Sequence, residues 1–150
     1  MSHKVEILSV GTELLLGSIA NTDAQMLSQG LSALGLNVFW HTVVGDNPQR
    51  AREAVELARS RADIIIPTGG LGPTCDDLTK NVLAEVFGKK LVYHQESLER
   101  IKDYARGTGR PLTENNFQQA LVPEGSTVLV NDWGSAPGCA FEADGVHVIM

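Results

Sequence analysis

Residues 62–74 read ADIIIPTGGLGPT, and the change of character inside that stretch decides the fold. Asp63-Ile64-Ile65-Ile66 carries an unbroken apolar run, which suits a strand covered on both faces; a half-solvated strand would alternate. Thr68 to Thr74 then gathers three glycines and a proline into a loop. A buried strand over Ala62–Pro67 that empties through such a loop into a helix is the repeating unit of a parallel sheet.

Working toward the amino terminus, the same unit recurs twice. Lys4–Val10 (KVEILSV) is rich in β-branched and aliphatic residues and ends at Gly11. After a loop, Asn21 or Thr22 caps a helix whose apolar positions Leu27, Leu31 and Leu34 recur at i, i+4, i+7, with Gly35 at the C′ position. Asn37–Val44 (NVFWHTVV) is a second strand, stopped by Gly45-Asp46. Asn47-Pro48 then reads as an N-cap followed by proline at the first helical position, and Ala51, Val55 and Ala58 mark the buried face.

Toward the carboxyl terminus, Thr74 or Asp76 starts a third helix whose Leu78, Val82 and Val86 point inward and which Gly88 ends. A short apolar piece, Leu91-Val92-Tyr93, precedes a fourth helix around Leu98, Ile101 and Ala105. Glu114–Ala120 adds a short helix, and Thr127–Val130 and Val146–Met150 read as strands with Gly138–Glu142 between them. Strand-helix alternation over the first 88 residues demands right-handed crossovers and a mainly parallel sheet in an α/β fold. Every strand-to-helix loop then leaves on one carboxyl rim, where ligands of open α/β sheets bind.

A chain of 150 residues is one domain by size and can bury a core without disulfides or a structural metal. Twelve Lys+Arg against 18 Asp+Glu give a net charge of −6, the wrong sign for sequence-blind binding to nucleic acid or acidic membranes. The apolar runs are too short to span a bilayer or to form a signal-peptide core, so a cytoplasmic location is expected. Cys75 and Cys139 form no C-x-x-C pair, and His3, His41, His94 and His147 lack metal-ligand spacing, which speaks against zinc.

Four loops collect on the rim: 11–17, 45–47, 69–77 and, if its strand is also parallel, 131–138. They combine glycines, whose amides can approach an oxygen-rich ligand, with carboxylates from separate segments. Acids beside a phosphate pocket repel it unless a divalent cation bridges the two. Glu13, Asp46, Asp76 and Asp77 are therefore candidate metal or water-activating groups. Each has a plain structural reading too: Asp76, or Thr74 with Asp77, as a helix cap; Asp46 as a turn aspartate; Glu13 as a solvated loop residue; Asn21 as a cap. G-x-G-x-x-G, the P-loop and G-x-S-x-G are absent, and Cys75 has no histidine placed to activate it.

The order of these motifs is informative. Gly11-Thr12-Glu13-Leu14-Leu15-Leu16-Gly17 with Asn21, then Gly45-Asp46, then Thr68-Gly69-Gly70-Leu71-Gly72-Pro73-Thr74 with Asp76-Asp77-Leu78-Thr79 resemble the N-terminal domain of the competence/damage-inducible protein A (CinA-like) family. Asn116 with Gln119-Ala120, Asn131, and Gly134-Ser135-Ala136-Pro137-Gly138 resemble its later motifs. That family sits in the molybdopterin-binding group with the MoaB/MogA-like molybdenum-cofactor biosynthesis proteins.

The resemblance implies a three-layer α/β/α sandwich. It also implies a metal-dependent pyrophosphatase cleaving ADP-ribose to AMP and ribose 5-phosphate, or alternatively a module that binds molybdopterin or a nucleotide without turnover. It implies Asp46 and Asp77 as catalytic acids, with Glu13 and Asp76 joining them around Mg²⁺ or a similar divalent ion, and K⁺ as a further cation. The ligand, a nucleotide diphosphate or pterin, is expected against Gly69, Gly70, Leu71, Gly72, Pro73, Thr74, Asn21, Asn131, Gly134, Ser135, Ala136, Pro137 and Gly138. A homo-oligomer, dimer or trimer, is expected, with neither nucleic acid nor membrane as partner. Two departures stand out. The family continues past the last strand and often carries an amidase domain, so residues 1–150 read as a single domain cut short at its C-terminal end; and Ser135 stands where threonine is commoner.

Overall fold

A computed structural model describes residues 3–72, 74, 77–109 and 111–150. Three strands, β1 (Lys4–Val10), β2 (Asn37–Val44) and β3 (Ile64–Thr68), run parallel in the order β2-β1-β3. The triple isoleucine serves both faces: Ile65 packs with Leu8, Val55 and Leu83 on one side, while Ile64 and Ile66 join Val5, Ile7 and Leu31 on the other. Helices α3 (Pro48–Arg61) and α4 (Thr79–Val86) cover the first face, and α2 (Thr22–Ala33) covers the second, making three layers.

β1 is buried at six of its seven residues, Glu6 among them. A lone carboxylate there would be prohibitive, so it is matched. Arg61 donates to both Glu6 oxygens at 2.8 and 2.7 Å, and the Thr42 hydroxyl donates at 2.6 Å. The guanidinium in turn lies 4.6 Å from the centre of the Trp40 ring.

The second half of the sheet continues β3-β8-β7-β6. β8 (Val146–Ile149) is parallel to β3, β7 (Gly138–Ala143) is antiparallel to β8, and β6 (Thr127–Leu129) is antiparallel to β7. Two reversals restore the direction, so β6 points the same way as β3 and the loop after it leaves on the carboxyl rim. Asp144-Gly145, both with positive φ, form the two-residue β7–β8 turn. β4 (Leu91–Tyr93) pairs antiparallel with β5 (Leu121–Pro123) in a small separate sheet. Between them run α5 (Gln95–Thr108), α6 (Glu114–Phe117) and a 3-10 turn, Gln118–Ala120.

Three local expectations need correction. α4 begins at Thr79, not at Thr74 or Asp76. Ahead of it the Asp77 N–H donates to Thr74 O at 3.1 Å, and Asp76 itself lies outside the described residues. Leu34 is 77% exposed because it is the C-cap of α2, where the chain turns away; Ala24, Leu27 and Leu31 carry the inward face. Residues 12–15, read as loop, form a four-residue helix, α1 (Thr12–Leu15). The caps on Asn21 and Asn47 hold, accepting from Ala24 N–H at 3.2 Å and Arg50 N–H at 3.0 Å.

Candidate functional site

The glycine loop is locked against the ends of two neighbouring elements. Gly69 has φ +80°, and a Cβ there would sit well inside contact distance of the Val10 carbonyl oxygen. Gly70 (φ +61°) is pressed as closely onto the Thr79 hydroxyl. Thr79, itself buried, clasps both: its hydroxyl donates to Gly69 O at 2.8 Å and its amide to Gly70 O at 3.2 Å. Leu71, Gly72 and Thr74 follow in the open part of the loop, while Pro73, Cys75 and Asp76 lie outside the described residues.

Asp77 folds back onto that loop. Its Oδ2 accepts from the Thr74 amide at 2.7 Å and the Thr74 hydroxyl at 2.6 Å. A Cβ on Gly72 would come within 2.6 Å of the same oxygen, so the glycine is what lets the carboxylate approach. Burial pushes the Asp77 carboxyl up, but the bonds from the Thr74 hydroxyl and amide and the Gly72 amide, with the charge of Lys80, outweigh it. The group therefore ionises below its ordinary value.

The first and second rim loops are tied together. Asp46 Oδ2 accepts from the Thr12 amide at 2.8 Å, and the Asp46 amide donates to Thr12 Oγ1 at 3.1 Å. The Glu13 side chain folds over Gly11, where a Cβ would meet its Oε1 at 2.6 Å. Asn21 Nδ2 donates to Ser9 Oγ at 2.9 Å, which also receives the Thr68 hydroxyl at 3.2 Å. Glu13, Asn21, Thr68 and Gly69 line one cleft of about 150 Å³. Asp46 and Asp77 do not line it, and among the described residues no three His, Cys, Asp or Glu side chains converge closely enough to hold a metal.

The fourth loop is stiffened from within. Asn131 Oδ1 accepts from the amides of Trp133 (3.0 Å) and Gly134 (3.1 Å), and its Nδ2 donates to Ala136 O at 2.9 Å. Its carboxamide is thus spent on the loop. Gly138 packs against the carbonyl of Met150, and Pro137 is buried. The Ser135 hydroxyl donates to Gln119 Oε1 at 2.9 Å, on the wall of a second cleft of about 300 Å³ between α5 and this loop.

Lys80 and Gln119 escaped the sequence reading as site residues. Lys80 is buried and its Nζ donates to the carbonyls of Gln118 and Gln119, both at 3.0 Å; burial lowers its pKa. The signal for it was a lysine within the run Leu78–Val86, on a helix buried nearly all round.

Residues 6–149 match the family described as "Probable molybdopterin binding domain". The chain is 58% identical over 147 residues to the CinA-like protein of Dictyoglomus turgidum, covering 98% of this chain and 36% of that protein. It is 60% identical over the same length to the CinA-like protein of Dictyoglomus thermophilum, with the same coverage. The chain therefore spans about a third of the length of these curated relatives. The crystal structure of CinA from Thermoplasma acidophilum, described as a protein of unknown function, superposes with a TM-score of 0.88 at 30% identity, covering 99% of this chain and 86% of that one. The molybdopterin biosynthesis enzyme MoaB from Thermus thermophilus shares the fold, with a TM-score of 0.62 at 17% identity over 98% of this chain and 79% of that one.

Proposed function

We infer that this chain, which belongs to the molybdopterin-binding domain family as one of its CinA-like members, hydrolyses the diphosphate bond of a nucleotide such as ADP-ribose with the aid of a divalent ion. Water adds to one phosphorus, the bridging P–O bond breaks, and AMP and ribose 5-phosphate leave. The supporting observation is the cleft on the carboxyl rim where Gly69 of the locked glycine loop meets Glu13, with Asp46 bonded to the neighbouring Thr12. Amides of Gly69, Gly70 and Leu71 and of Ser135, Ala136 and Gly138 are the groups offered to the diphosphate oxygens.

The two acids suit different tasks. Asp77 carries three hydrogen-bond donors and stays ionised, which makes it a weak base and a good counter-charge for a cation. Asp46 spends only Oδ2 on Thr12 and keeps Oδ1 free of any hydrogen bond among the described residues, so it is the better proton acceptor for the attacking water. Mg²⁺ commonly takes one or two carboxylates and completes its shell with substrate phosphate and water, so one or two of the rim carboxylates Glu13, Asp46 and Asp77 would suffice without a closed cage. Such an ion, when bound, neutralises phosphoryl charge and lowers the pKa of water.

The test is incubation with ADP-ribose and Mg²⁺, with and without K⁺, followed by chromatography. AMP that forms only with the divalent ion supports the reading; no AMP under any ion condition overturns it. A second reading, a binding module for a pterin or nucleotide, is favoured by the internal spending of Asp77 and Asn131 and by the lack of a three-ligand cluster among the described residues. Saturable ligand binding in EDTA with no product would select it.

A further inference from the structure

The short helix α1 ends in an apolar knuckle. Leu15, Leu16 and Ile19 are each more than half exposed, three large aliphatic side chains within five positions. The turn that presents them is closed by the Leu16 amide donating to Thr12 O and the Ser18 amide donating to Glu13 O, both at 3.0 Å, and Asp46 pins its first residue. At the other end of the same rim Trp133 is 94% exposed, close in sequence to the exposed Val130. Its loop is held as firmly. The Trp133 amide donates to Asn131 Oδ1 at 3.0 Å, and Arg100 donates to Asn131 O at 3.3 Å and to Asp132 Oδ1 at 2.9 Å. The strand order β1-β3-β8-β7-β6 separates the two features by four strand spacings, about 19 Å, so they do not meet within one molecule.

Neither feature belongs to the core, and rigid apolar surface of this extent is unfavourable in water until a partner covers it. We propose that a second copy of this chain does so: Trp133 of one copy seats against Leu15, Leu16 and Ile19 of the other, and the twofold axis that makes one contact makes the reciprocal one. The two contacts together, with Val130 and the polar edges of both loops, bury on the order of 1,000 Å², the lower limit for a specific dimer. Tryptophan is among the commonest interface anchors, and one already held in place loses little freedom on docking. A lipid surface is the poorer occupant, because the chain carries a net charge of −6 and Glu13 stands on the same turn as the leucines. Ile19 also lines the cleft of about 150 Å³ that holds Glu13, Asn21 and Gly69. Trp133 of the second copy therefore stands at the mouth of that cleft, and each copy completes the site of the other.

The proposal does not depend on the pyrophosphatase reading, since association is measured without substrate. Analytical ultracentrifugation at tens of micromolar protein should show a dimer of the 16.1 kDa chain. Trp133→Glu and Leu16→Glu, both at exposed positions outside the core clusters, should each weaken association at least about thirtyfold, the scale of an interface hot spot. Trp133→Glu leaves Trp40 as the only tryptophan, so the difference in fluorescence between that variant and the wild type belongs to Trp133. This emission should move to the blue as wild-type protein is concentrated, in step with the mass, and should stay put in Leu16→Glu. A dimer that both variants leave intact, or Trp133 emission indifferent to concentration, would overturn the proposal. So would a monomeric wild type, whether or not it binds phosphatidylserine vesicles. A dimer that makes no AMP from ADP-ribose would leave the interface standing and remove the pyrophosphatase reading alone; AMP made by a monomer would do the reverse.

Discussion

Thr12 and Asp46, 34 positions apart in the chain, hold each other by a reciprocal pair of hydrogen bonds, amide to carboxylate in one direction and amide to hydroxyl in the other. The carboxylate therefore has a structural task as well as the proposed chemical one, and two substitutions separate them. Asp46→Asn keeps an oxygen for the Thr12 amide and should unfold at nearly the wild-type urea concentration while losing turnover. Asp46→Ala should lose turnover and also about 1 kcal/mol of stability, the net worth of an ordinary hydrogen bond. Full ADP-ribose hydrolysis by the Asn variant would remove Asp46 as the base.

Gly69 is the least replaceable position of the rim. Alanine there combines a strained positive φ with a collision against the Val10 carbonyl, a backbone atom of a central strand that cannot swing aside. The expected cost is about 3 kcal/mol or more. Gly70→Ala meets only the Thr79 hydroxyl, a side-chain atom that can rotate at the loss of its bond to Gly69 O. Thermal unfolding of the two variants should rank Gly69→Ala clearly lower; equal melting temperatures would show that the loop is not locked as described.

The strands, the first helices and the rim were readable because their signals are local. Ile64–Ile66 announce a strand buried on both faces, and Asn21 and Asn47 cap the helices that the sequence assigns to them. What escaped depends on contacts that residue type and spacing do not announce, some of them far along the chain. α4 starts late because Asp77 is drawn back to Thr74 and Gly72, and nothing in T-x-x-D distinguishes that turn from a cap. Leu121–Pro123 becomes a strand only by pairing with Leu91–Tyr93, and Gln119 is held by contacts with Ser135 and with Lys80, 39 residues away. Leu34 misled although Gly35 was rightly placed at C′: as the C-cap residue Leu34 sits where the chain turns away, and the helical repeat no longer aims its side chain at the sheet. Asp144-Gly145, by contrast, is a recognised hairpin signal that would have set β7 antiparallel to β8 from sequence.

The Glu6–Arg61 pair should dominate stability without touching the rim chemistry. Glu6 is fully buried and its oxygens are divided between Arg61 and Thr42. Removing the cation in Arg61→Leu leaves an uncompensated buried carboxylate, for an expected loss of about 3–5 kcal/mol. Replacing both partners together, Glu6→Leu with Arg61→Leu, should recover much of that loss, since the orphaned charge is gone. Urea midpoints of the single and double variants provide the check, and a double variant no more stable than Arg61→Leu would contradict it.

Asp77 fixes the direction of one part of the acid response. Its folded carboxyl ionises below the ordinary value, so it contributes stability wherever the unfolded group is also ionised, above about pH 4. As the pH falls through that range the unfolded chain takes up its proton first, and the contribution drains until the folded carboxyl protonates too. Asp77→Asn keeps an acceptor for Thr74 but has no proton to bind, so it should lose less stability than wild type between pH 5 and pH 3. Urea midpoints at pH 7, 5 and 3 measure the difference. The same depressed ionisation means that Asp77 stays charged throughout the neutral range, so an acid limb of the hydrolysis rate near pH 6 must come from another group. Identical acid slopes for the two proteins would show that the bonds from Thr74 and Gly72 do not hold the carboxylate in solution.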